Sequence, residues 1–156
     1  MFTRASSLLF AIALAGCVSS HRTVYVPTVA VVPAGGPITP MQAVFAAAEH
    51  PEGVSGTFEM DVRSGGRQDD WLYLNSEADY RDQRCLTVES PPALALQLER
   101  RLGGDPTAIL RGKTVRVIGT ALRTKIWFVS NGLPTDKYYY QTHVRLLGLG
   151  MLSVMP

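Results

Sequence analysis

Cysteine is scarce in this chain, with only Cys17 and Cys85 in 156 residues. A disulfide framework is therefore excluded, and stability must come from a packed core. A surplus of either charge is also missing. Fifteen Lys and Arg stand against thirteen Asp and Glu, a balance that lacks the basic excess of a nucleic-acid binder, so nucleic acid is not an expected partner. The apolar runs Leu8 to Leu14 and Leu146 to Pro156 are far too short to span a bilayer. The sequence holds no Ser-containing nucleophile elbow, phosphate loop or Cys-x-x-Cys pair. Its three histidines, His21, His50 and His143, follow no zinc spacing. Neither a metal nor a cofactor is expected, and no catalytic residue is assigned.

What is present begins with an export signal. Arg4 gives residues 1–16 a charged start, and Leu8 to Leu14 follow as a short apolar region. The run closes on Leu14-Ala15-Gly16-Cys17. These four residues resemble the lipobox of bacterial lipoproteins, whose Cys becomes the lipidated first residue of the mature chain. The resemblance implies that Cys17 carries the lipid and that the membrane is a partner through this anchor. Because Val18 is not the Asp associated with inner-membrane retention, it also implies the outer membrane, facing the periplasm. Cys85 is then left alone, and burial as a small hydrophobe is its expected state.

Residues 17–39 form a tether. Pro27, Pro33 and Pro37 interrupt a stretch of Val, Thr and Ser, which keeps it from helix or central strand. The domain proper is expected over residues 40–156. Thr39 suits a helix N-cap and Pro40 its first position. Met41, Val44, Phe45 and Ala48 are expected to be the packed face of the short helix that ends before Pro51.

Strand periodicity dominates the rest. Gly53 to Arg63 alternates, with Val54, Phe58, Met60 and Val62 on one side and Thr57, Glu59, Asp61 and Arg63 on the other. Ser64 to Asp70 reads as a turn-rich loop. Trp71 to Val88 then reads as two strands around a polar loop, with Leu72, Leu74, Leu86 and Val88 inward and Trp71, Tyr73, Cys85 and Thr87 outward. Pro91-Pro92 ends the second strand, and Leu94, Leu98 and Leu102 align on a helix closed by Gly103. Val115 and Val117 mark the next strand, Ser130 to Asp136 a turn, and Tyr138 to Leu147 the last strand. The expected core is Phe58, Met60, Leu72, Leu74, Leu86, Val88, Val115 and Val117, with Leu94 and Leu98 from the helix.

Three strands, a helix and two strands, in that order, resemble the OB-fold, a small five-stranded Greek-key barrel with its helix between strands three and four. The phrase Leu110-Arg111-Gly112-Lys113-Thr114-Val115-Arg116-Val117-Ile118-Gly119 resembles the start of strand four in such barrels. The resemblance implies a ligand face on strands two and three, which here carries Trp71, Tyr73 and Thr87, with Arg67 and Lys137 reaching in from flanking loops. Aromatic rings beside cationic side chains fit stacking on a ring-shaped or planar partner. Two functions follow as expectations. One is a non-catalytic envelope binding module for a protein or glycan partner. The other is a metal-dependent, nuclease-like or other hydrolase using the carboxylates and guanidiniums of the Glu77–Arg84 loop.

Overall fold

The computed structural model describes residues 35–156, together with the backbone of Ala30–Val31. Cys17, the expected export signal and most of the expected tether lie outside the described residues. In chain order the elements are β1 (Ala30–Val31), α1 (Pro40–Glu49), β2 (Val54–Asp61), β3 (Ser64–Gln68), β4 (Trp71–Asn75), β5 (Leu86–Ser90), α2 (Pro92–Leu102), α3 (Pro106–Ile109), β6 (Thr114–Ser130), β7 (Leu133–Arg145) and β8 (Leu152–Val154). No helix among the described residues is long and apolar enough to cross a membrane.

The class is mainly β. One mixed sheet runs β1-β2-β6-β7-β5-β4-β3, with β8 pairing off this path onto β6. Among the described residues eight strands stand where five were expected, and the path is open at both ends. Part of the difference is one stretch of chain counted twice. β2 and β3 are separated only by Val62 and Arg63, whose N–H groups donate to the carbonyls of Lys113 and Asn75, each at 2.9 Å. β2 therefore lies beside β6 while β3 lies beside β4. The pair β5 and β7 is parallel, and β6 and β7 form a long antiparallel hairpin.

Two turns correct the loops expected from sequence. Ser64–Gln68 is a strand, closed onto β4 by the two-residue turn Asp69-Asp70, with φ of 50° and 64°. Two successive positive φ values are those of a turn whose twist matches paired strands. Gly65 is required there, since a Cβ would sit 2.9 Å from the carbonyl oxygen of Tyr73. Likewise Asn131-Gly132, at φ 52° and 78°, is the whole turn between β6 and β7. Leu133 to Asp136 are thus strand, not turn.

The core follows the period-2 pattern. Phe58, Met60, Leu72, Leu74, Leu86, Val88, Val115 and Val117 are all buried together with Leu98, and Leu94 packs against them. Val62, Leu110, Val144, Leu146 and Leu152 belong to the same cluster, and Ile38, Ala43, Ala95 and Ala121 complete it. At Gly119 a Cβ would lie 2.7 Å from Val144 Cγ1, so only glycine lets β6 pass that close to β7. The apolar tail contributes Leu146 and Leu152, the latter on β8 against Val117.

Helix α1 starts as expected. Thr39 and Gln42 exchange hydrogen bonds in a capping box, with Pro40 at the first helical position. Its packed face is different from the expected one: Ala43 and Ala47 are buried, while Met41 and Phe45 are 41% and 64% exposed. Small side chains let the helix lie close over β2 and β6, and the larger ones turn outward.

Candidate functional site

The strands β3, β4, β5, β7 and the far half of β6 share one concave face around a cleft of about 700 Å³. Pairing sets its rows. Ser64, Asn75, Thr87 and His143 lie side by side across four strands, and Gly66, Tyr73, Glu89 and Arg145 form the row beside them. Residues 76–85 contribute Tyr80 and Arg81, and the β6–β7 hairpin contributes Ile126, Phe128 and Tyr139.

The floor is polar and internally bonded. Thr87 Oγ1 donates to Asn75 Oδ1 at 3.0 Å, and Asn75 Nδ2 donates to Ser64 Oγ at 3.2 Å. The Ser64 hydroxyl in turn donates to the Glu77 carbonyl at 2.7 Å. A second chain crosses β7. Gln141 Nε2 donates to the Tyr80 carbonyl and to the Tyr139 hydroxyl, at 3.0 and 3.2 Å. This fixes the amide so that Oε1 faces His143 Nε2 at 2.7 Å. The other ring nitrogen, Nδ1, faces Glu89 Oε2 at 3.0 Å. Both neighbours of the ring are acceptors, so each bond is made when the ring nitrogen facing it carries hydrogen. Arg145 Nε donates to the second Glu89 oxygen at 2.7 Å. The His143 hydrogen bond, helped by Arg145 and opposed by burial, holds the Glu89 carboxyl below its ordinary range.

Aromatic rings form the walls. Tyr73 meets the edge of His143 at 6.4 Å between ring centres, and Phe128 lies 5.2 Å from Tyr139. Burial raises the Tyr73 and Tyr139 hydroxyls above the usual tyrosine range, so both stay neutral. On the other face of the hairpin, Arg123 stacks over Tyr140 at 3.8 Å and Lys125 over Tyr138 at 4.3 Å.

Of the residues singled out from sequence, Arg67, Tyr73 and Thr87 line the cleft together. Thr87 is only 2% exposed, so it supports the floor and does not stand outward as expected. Trp71 lies beside the cleft with the Arg145 guanidinium over its ring at 5.0 Å. Trp71 and Tyr73 are both half-buried and do not form an open platform. Lys137 is exposed on β7 and is not among the cleft-lining residues. Arg67 is held by Glu99 at 2.7 Å. Cys85 is a buried free thiol, packed among Leu86 and Thr87. No family model, curated protein or solved structure matches this chain. The cleft must be read from its own chemistry.

The acidic loop folds on itself. Asp79 accepts from the Arg81 N–H at 2.9 Å, and Arg84 holds Asp82 so firmly that its carboxyl is lowered to about 2. Glu77 pairs with Arg63 at 3.2 Å. Among the described residues no three His, Cys, Asp or Glu converge as a metal site. Sequence reasoning did not foresee that Tyr80, Tyr139, Gln141 and His143 would form the site. The alternation of Tyr139, Gln141 and His143 held the signal, since it puts all three on one strand face.

Proposed function

We propose that this chain is a non-catalytic binding module of the bacterial envelope. Lipid on Cys17 holds it at the outer membrane, facing the periplasm, and its concave cleft takes a protein or glycan partner. The observation that carries the reading is the cleft itself, with aromatic walls over a floor whose polar groups are already hydrogen-bonded. Such a floor is preorganised for recognition and needs no rearrangement when a partner arrives. Among the described residues no buried side-chain nitrogen or oxygen is left without a partner.

The domain is read as an OB-like Greek-key barrel. Support comes from the bent stretch β2–β3 reaching both β6 and β4, from α2 between β5 and β6, and from the parallel pair β5 and β7. The cleft then corresponds to the usual ligand face of that fold. The anchor rests on Leu14-Ala15-Gly16-Cys17 alone.

Capture from solubilised envelope tests the function. The double variant Tyr73→Ala with Phe128→Ala should retain about a tenth or less of the partner that wild type retains, as for central aromatic contacts in an interface. Undiminished capture by a folded double variant would remove the cleft from the account.

A further inference from the structure

We propose that the occupant of the cleft is an extended, acidic stretch of polypeptide that adds as a strand to the free edge of β3. This rests on the binding-module reading and narrows its partner. β3 ends the sheet, and among the described residues it pairs with β4 alone. The two-residue turn makes Gln68 and Trp71 a hydrogen-bonded pair, so alternation turns Gly66 and Ser64 toward β4 as well. The N–H and C=O groups of Gly65 and Arg67 then point away from the sheet. No backbone partner meets them among the described residues.

Natural edges are normally blunted by Lys, Pro or a covering element. β3 reads Ser64-Gly65-Gly66-Arg67-Gln68 instead; Thr107 of α3 packs against Gly65, while Gly66 leaves its backbone bare. Space around Gly66 is open, and Gly66, Arg67 and Gln68 are exposed. The facing wall repeats the feature. Beyond Ala121, β6 is paired on one side only, by β7. All of Ser64–Gln68 and the stretch Ile126, Trp127, Phe128 and Val129 line the same cleft, so each wall carries an unpaired strand edge. A polypeptide uses such an edge through its main chain, and a glycan does not.

Charge narrows the occupant further. Among the described residues no Asp or Glu lines the cleft surface, although Glu89 lies behind His143 at 3.0 Å, and the guanidiniums that line it are those of Arg67 and Arg81. Arg67 pairs with Glu99 and Arg81 with Asp79. Each guanidinium has five N–H groups, so donors remain for an incoming carboxylate. Apolar side chains between the acidic ones would meet Tyr73, Phe128 and Tyr139.

A randomised peptide library panned on the full chain tests the proposal. The selected peptides should be enriched in Asp and Glu. Resynthesised with N-methyl groups on alternate amides, they should bind about tenfold more weakly in one N-methyl register than in the other, since only one set of amides meets β3. Arg67→Ala with Arg81→Ala should weaken the same peptides severalfold and flatten their salt dependence. A basic or uncharged consensus, or equal binding in both N-methyl registers, overturns the proposal. So does failure to select any peptide when an N-acetylglucosamine oligosaccharide shifts the Tyr139 and His143 resonances, although the binding cleft then stands. If neither probe moves those resonances, the cleft reading falls too.

Discussion

Replacing Glu89 by Gln keeps the side chain's size and removes the charge that lies behind His143, beneath the cleft surface. The wild-type carboxylate accepts from His143 at 3.0 Å and from Arg145 at 2.7 Å. These two bonds differ in worth. The Arg145 side chain is 57% exposed, and a water-screened pair of this kind adds about 0–1 kcal/mol. His143 and Glu89 are only 9% and 13% exposed, so their charge-assisted bond is worth about 1.5–3 kcal/mol. A Gln oxygen still accepts from one of the two, which leaves a net loss of about 1–3 kcal/mol. The pH dependence has a defined sign. The folded-state value of Glu89 lies below its ordinary 4.5, with the His143 hydrogen bond the main cause. Its contribution is therefore present above 4.5 and lost as pH falls through the lower folded value. Urea unfolding of wild type and Glu89→Gln over a descending pH series should show a stability gap that closes below 4.5. A gap that persists unchanged through that range, or no gap near neutrality, would refute the assignment of Glu89 as the charged hub.

Three further outcomes are expected. Leu74→Ala should cost about 2–5 kcal/mol in denaturant unfolding, because Leu74 is 1% exposed inside the single core cluster; a loss near zero would mean that the inward face is misassigned. Gly119→Ala should destabilise by about 1–3 kcal/mol, since its Cβ would press on Val144 Cγ1 at 2.7 Å, and unchanged stability would show that β6 and β7 have room to separate. Cys17→Ser should leave an unprocessed precursor without acyl label, and normal labelling of that variant would end the argument for a lipid anchor.

The core was legible because alternation in β2, β4, β5 and β6 has one simple cause, one face buried and one not. The site was less legible, for a related reason. Alternation gives Thr87, Gln141 and His143 to the outer side, yet 2%, 8% and 8% exposure make them nearly as enclosed as the core. A concave sheet covered by its own hairpin buries both faces, and that covering depends on contacts far apart in sequence. Two turns are shorter than the loops read from the chain. Asn131-Gly132 is the strongest short hairpin signal, and it alone makes the turn, whereas Leu133 to Asp136, Pro134 included, continue as strand. Asp69-Asp70 was hidden by Gly65-Gly66, which reads as a breaker until the close approach to the Tyr73 carbonyl explains it. For α1 the helix was clear and its orientation was not. Periodicity favoured the bulky Met41–Phe45 side, whereas the sheet accepts the small Ala43–Ala47 side.

Site-specific photo-crosslinking in intact cells tests the central claim most directly. A benzophenone side chain placed at Gln68 or Phe128 reports on the cleft, and one placed at Phe45 reports on the exposed side of α1. The account predicts one discrete crosslinked partner from both cleft positions and none from Phe45. Crosslinks from Phe45 alone, with the cleft positions silent, would contradict it.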